Sequence, residues 1–143
     1  MSLLFSRQCE YALQAAVYLA LKPAGRRASI RELAGRLDIP HHFLAKILQN
    51  LTRQGLLKSL KGPTGGFALA LPAERTTLLQ IVQAVDGESF AKKCVMGFPE
   101  CSGKKPCAMH GEWSSVRDAI VAMLSSRSIA EMANGMGKPE YRR

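Results

Sequence analysis

The chain has 143 residues, 47% of them hydrophobic, which suits one domain, or one compact domain plus an appendage, with a buried core. No apolar run approaches the roughly 20 residues that span a bilayer, and the start, MSLLFSRQCEYALQ, lacks the basic head and long apolar stretch of a signal peptide, so a cytoplasmic chain is expected. The net charge of +9 is uneven: residues 1–75 carry eleven Lys/Arg against four Asp/Glu, the remainder nine against seven, and a basic half is the footprint of a polyanion partner or merely a solubilising surface.

Residues 7–21, RQCEYALQAAVYLAL, space Tyr11, Leu13, Ala16, Val17 and Ala20 for the apolar face of a helix, which Lys22-Pro23-Ala24-Gly25 ends. Ser29 and Glu32 have the spacing of a capping box. The helix they open should bury Ile30, Leu33, Ala34 and Leu37, and Asp38-Ile39-Pro40 makes a tight turn. A second helix should bury Phe43, Leu44, Ile47, Leu48 and Leu51 and stop at Gly55. Two short helices joined by a three-residue turn are a helix-turn-helix. The outward face of the second carries His42, Ala45, Lys46, Gln49 and Arg53, with His41 at its start. Such side chains reach base edges and phosphates, and Gln suits adenine; any solvated helix could show a similar face.

The next segment weighs toward DNA. LLKSL (56–60) and FALAL (67–71) pattern as short strands around KGPTGG, a hairpin turn with Lys61 at its root. A hairpin directly after a helix-turn-helix is a wing, placed to follow the phosphate backbone or enter a minor groove; Lys58 and Lys61 are its cations. The expected fold is mainly α with a small β-hairpin wing: a winged helix-turn-helix at 1–75, then at 76–143 a second region whose long helix either packs on its own domain or serves dimerisation.

In that second region TTLLQIVQAVDG (76–87) reads as a helix capped by Thr76 or Thr77, burying Leu78, Ile81, Val82 and Val85. A longer helix is expected from about Glu112 to about Ser125, with Trp113, Val116, Ile120 and Leu124 in a stripe that packs on its own domain or seals a two-fold dimer. Ser128 caps a last short helix.

Between these helices, Cys94, Cys101, Cys107 and His110 are spaced C-x6-C-x5-C-x2-H in a Gly-, Pro- and Lys-rich loop, 94–110. In a reducing compartment, clustered cysteines indicate metal ligands or redox thiols rather than structural disulfides. Lys92, Lys93, Lys104 and Lys105 would favour thiolate and offset the charge of a thiolate-bound cluster. Zinc knuckles keep their cysteines two to four residues apart, whereas iron–sulfur clusters accept wider spacing and can replace Cys by His. Zinc or a thiol/disulfide switch stays open beside an iron–sulfur cluster. Cys9, far away on the first helix, reads as a small core residue. A thiol oxidoreductase built on Cys101 and Cys107 lacks a C-x-x-C motif, and an interaction module that restrains another enzyme would leave the basic wing incidental.

Taken together, CEYALQAAVYLA, LAKILQNLTRQGLLKSLKGPTGGF, IVQAVDG, the three-cysteine loop and SIAEM resemble the Rrf-two family of bacterial winged-helix regulators, with its IscR-type and NsrR-type iron–sulfur branches, over nearly the whole chain. The resemblance implies a transcriptional regulator, not an enzyme: a homodimer without membrane association, binding double-stranded DNA at an inverted repeat. It implies cluster ligation by Cys94, Cys101 and Cys107. The fourth ligand is His110, which goes with a favoured 2Fe-2S cluster, or Glu10 from a partner's first helix, which goes with a 4Fe-4S cluster. Lys61 stands where IscR-type members often carry a minor-groove arginine.

Overall fold

The structure is a computed structural model that describes residues 4–23, 26–87, 93–98, 104 and 107–136. The first helix, α1 (Arg7–Leu21), starts where the Ser6 hydroxyl accepts from the Cys9 amide at 3.1 Å. It buries Cys9, Ala12, Ala15, Ala16, Val17, Tyr18 and Leu19, whereas Tyr11, Leu13 and Ala20 are only partly covered. The run of small alanines lets neighbouring helices approach from several sides. α1 packs against the wing, against both helices of the helix-turn-helix and against the first and last helices of the second region, and its Cys9 meets Leu124 of the longest helix, so it is the central strut of the molecule.

The helix-turn-helix follows. α2 (Ile30–Leu37) is capped by Ser29, which accepts from the Glu32 amide at 3.0 Å. The other half of the capping box is absent. The Glu32 carboxylate instead takes the Tyr18 hydroxyl at 2.7 Å and the Lys22 ammonium at 2.6 Å, tying α2 to the end of α1. A cation and a phenol within reach outcompete one backbone amide, because charge-assisted bonds are the stronger kind. Asp38, in the left-handed region at φ 55°, turns the chain into α3 (His41–Arg53). Gly55, at φ 80°, leads out of it.

The wing is an antiparallel pair, β1 (Leu57–Leu60) with β2 (Gly66–Leu69), in the register Leu57 to Leu69 and Leu60 to Gly66. Ala28 adds a single bridge on the free edge of β2, exchanging two bonds of 2.8 and 2.9 Å with Phe67. The two adjacent glycines are dictated by crowding. A Cβ on Gly65 would sit 2.2 Å from the Leu60 carbonyl oxygen, and one on Gly66 2.5 Å from that of Ala28.

After a 3-10 turn (Ala73–Arg75), α4 (Leu78–Asp86) carries a complete capping box between Thr77 and Gln80. α5 runs His110–Ser126, beginning two residues earlier than expected, and α6 spans Ile129–Met136 with Ser128 accepting from the Glu131 amide at 3.1 Å. The chain returning to α6 is zipped to the entry of α4 by Leu78 N–H to Arg127 O at 3.1 Å and Ile129 N–H to Thr76 O at 2.7 Å. Ile81, Ile129 and Ala133 thereby join Leu33, Leu44, Leu48 and Leu51 in one core. A smaller cluster of Cys9, Val82 and Leu124 lies under α5. No helix among the described residues is long and apolar enough to cross a membrane.

Candidate nucleic-acid interface and cysteine centre

Helix α3 divides cleanly. Leu44, Ile47, Leu48 and Leu51 are buried, while His41, His42, Lys46, Gln49 and Arg53 are all exposed, so the residues expected to face DNA do face out. Ala45 is half-buried. Phe43 departs from expectation: it is 45% exposed, and its ring lies against that of His42, centroids 4.7 Å apart. Residue 43 sits about 100° round the helix from its neighbours on either side, and the core-facing places are taken by the leucines and Ile47. Asn50, two turns on, anchors the flank by donating to the Ala84 carbonyl of α4 at 3.3 Å.

Lys58 and Lys61 are exposed on the wing. The tip is braced by Arg27, whose guanidinium donates to the Thr64 carbonyl at 3.5 Å. Neither this brace nor the Ala28 bridge carried a signal in the sequence, because both join residues about forty positions apart. Helix and wing thus offer cations on adjoining surfaces, the geometry that grips a phosphate backbone while side chains reach into a groove.

At the cysteine centre, Cys94 is 6% exposed and Cys107 is half-buried. Their sulfurs lie 3.6 Å apart and both thiols are free. Burial pushes the Cys94 thiol up, but hydrogen bonds from the backbone amides of Met96, Phe98 and Gly97 and from Cys107 outweigh it and hold the thiol below its ordinary range. Cys101 lies outside the described residues, as do Lys92 and Lys105; Lys93 and Lys104 are exposed. His110 opens α5, its amide donating to the Cys107 carbonyl at 3.1 Å, and its side chain is half-buried. Glu10 is half-buried on α1. Among the described residues no group of three or more His, Cys, Asp or Glu side chains converges on one metal position.

Trp113 fastens this segment to α5: its indole N–H donates to the Lys93 carbonyl at 2.7 Å, next to Cys94. The rest of the apolar stripe splits. Val116 is 51% exposed and Met123 beside it 49%, whereas Leu124 is 2% exposed within the Cys9–Val82 cluster and Ile120 packs against that cluster. Cys9 is completely buried, and burial, with Asp86 and Glu10 adding, pushes its thiol up to about 12.

A helix-turn-helix with an exposed basic reading face, followed by a braced hairpin, defines a winged-helix DNA-binding regulator. A family model described as an iron-dependent transcriptional regulator, Rrf2, matches residues 5–135. The chain belongs to the Rrf2 (Rrf-two) family, and it is a DNA-binding transcriptional regulator rather than an enzyme. A helix-turn-helix regulator homologue of Aquifex aeolicus is 31% identical over 134 residues, 92% of each chain. The regulator IscR of Photorhabdus laumondii is 30% identical over 124 residues, 87% of this chain and 75% of that one. Among solved structures, CymR, the global cysteine regulator of B. subtilis, is 25% identical and superposes with a TM-score of 0.79 over 93% of this chain and 98% of its own.

Proposed function

We propose that this regulator senses iron–sulfur, redox or nitrosative state through a cluster held by Cys94, Cys101 and Cys107, and that it acts as a homodimer on an inverted repeat. The observation that carries the reading is the 3.6 Å between the Cys94 and Cys107 sulfurs. Two thiolates on one tetrahedral metal, at about 2.3 Å from it, stand about 3.8 Å apart. A disulfide would need about 2.05 Å. The lowered Cys94 thiol supports the same reading, since thiolate is the form that binds metal. A bound cluster would supply a centre that gains or loses electrons and reacts with oxygen or nitric oxide, its potential set by hydrogen bonds to the sulfurs and by solvent exposure.

The chain's own residues do the rest. His110 is the fourth ligand in this reading because only two residues part it from Cys107, so little loop entropy is lost in bringing both to one metal. Glu10 is the rival and would come from the partner's first helix. Trp113 links the loop to α5, and α5 with its exposed Val116 and Met123 would meet the partner. Residues 1–75 would then contact DNA and 76–143 would sense and pair. Ordering of the loop and the seating of α5 are coupled, so ligation shifts a two-state equilibrium in the separation of the two recognition helices.

A second reading is zinc or a thiol/disulfide switch on the same cysteines: the sulfur spacing suits two zinc-bound thiolates equally well, and the likeness to CymR supports a cysteine-based regulator. Anaerobic isolation separates them. Visible absorbance with iron and acid-labile sulfide supports the cluster. A colourless protein with stoichiometric zinc, or metal-free with a reversible disulfide, replaces it by the second reading.

A further inference from the structure

We propose that Phe43 is a sequence-reading residue whose target is the 5-methyl group of thymine in the major groove. It rests on the DNA-binding role of α3. Burying a phenylalanine ring contributes about 1.5–3 kcal/mol relative to exposure, and position 43 forgoes much of it: Phe43 is 45% exposed, while Leu44, Ile47, Leu48 and Leu51 are at most 4% exposed. The ring stands in the first turn of α3, the end of a recognition helix that reaches base edges. It lies beside the exposed His42 and one turn from the exposed Lys46. The His42 imidazole, 4.7 Å away and tilted by 35°, limits the directions the phenyl can take.

The chemistry then narrows the target. A phenyl group has no donor or acceptor, so it can bond neither a phosphate nor the polar edge of a base. Thymine alone among the four bases presents an apolar group in the major groove, its C5-methyl. That methyl lies on the backbone side of the groove. Phe43 lies on the flank of the reading face, about 100° round the helix from His42, which suits that position.

The test is binding-site selection by the full-length protein from a random duplex library copied with dTTP, repeated on a library copied with dUTP, which removes every 5-methyl group. Wild type should enrich thymine at a fixed place in each half-site. In one selected duplex, dT to dU there should weaken binding about four-fold per contacted methyl, the equivalent of one buried methylene. Phe43→Ala should bind the dT and dU duplexes alike, and Phe43→Leu, which keeps an apolar contact and guards against a folding defect, should retain part of the difference. Indifference of wild type to the dU substitution overturns the proposal. So does a Phe43→Ala protein that weakens equally on both duplexes while the dT–dU difference persists, since the ring would then be packing on the sugar-phosphate backbone. If wild type enriches no sequence at all, the reading role of α3 fails and the proposal with it.

Discussion

The indole N–H of Trp113 donates to the carbonyl of Lys93 at 2.7 Å, twenty positions away, so the backbone next to Cys94 is tethered to the longest helix. Removing that bond while keeping an aromatic ring isolates its effect. Trp113→Phe should lower stability by about 0.5–1.5 kcal/mol. Its larger effect should be on the cysteine centre, with less iron and sulfide bound after anaerobic reconstitution than in wild type. Equal metal content in the two proteins would show that the tether does not position Cys94.

The proposed dimer surface can be tested without damaging the protomer. Ile120 packs on the Cys9–Val82–Leu124 cluster, so Ile120→Glu should unfold the chain by burying a carboxylate. Val116 is half exposed, and Val116→Glu should leave thermal unfolding of the protomer nearly unchanged while halving the mass seen in sedimentation. A Val116→Glu protein of unaltered mass would place the subunit contact elsewhere.

On DNA, Gln49 and Lys61 should fail differently. Gln49→Ala should lose roughly 1–3 kcal/mol of discrimination at one position if its contact is bidentate. Lys61→Ala should weaken binding across sequences, more so where an A·T tract narrows the minor groove, and should flatten the dependence of affinity on salt by about one counterion. Competition binding at two ionic strengths reads both.

Cys9 should be inert. Its thiol is pushed up to about 12, chiefly by burial, and no part of it meets solvent. In a protein carrying Cys94→Ser, Cys101→Ser and Cys107→Ser, the remaining thiol should resist alkylation at pH 8 until denaturant is added. The sign of the pH effect follows. A folded value raised above the unfolded one contributes stability that is whole below about pH 9 and is lost as pH rises toward about 12. Denaturant midpoints measured across that range, compared with a Cys9→Ala protein, should show the decline in the first and a shallower one in the second.

Gly66→Ala should be costly. The new methyl would meet the Ala28 carbonyl oxygen at 2.5 Å, and the backbone there, at φ 152°, disfavours any side chain. The bridge between Ala28 and Phe67 should open, at a cost of about 1–3 kcal/mol, with reduced DNA affinity even at sequences the recognition helix still prefers. Urea unfolding beside a binding titration distinguishes the two losses.

The helix-turn-helix and wing were legible because their signals are local. Apolar residues recur with the period of one helix face at Leu44, Ile47, Leu48 and Leu51; Ser29 and Thr77 sit where orphan amides need an acceptor; Gly65 and Gly66 mark a turn. Each is a relation among residues a few positions apart, set by backbone geometry, and the sequence alone carries it. What tertiary structure decided are the competitions between distant groups. Glu32 abandons its own helix end for Tyr18 and Lys22, because a stronger pair of donors folds within reach. Phe43 faces out because the leucines and Ile47 of α3 already fill the core-facing side, although by composition it belonged inside. Leu124 turns into its own protomer while Val116, two turns earlier on the same stripe, stays half exposed, because the space beneath α5 is closed by Cys9 and Val82 from two other helices. The cysteine spacing pointed to a candidate centre, but the 3.6 Å approach of Cys94 and Cys107 depends on how a thirteen-residue separation is folded back, and no periodicity encodes that.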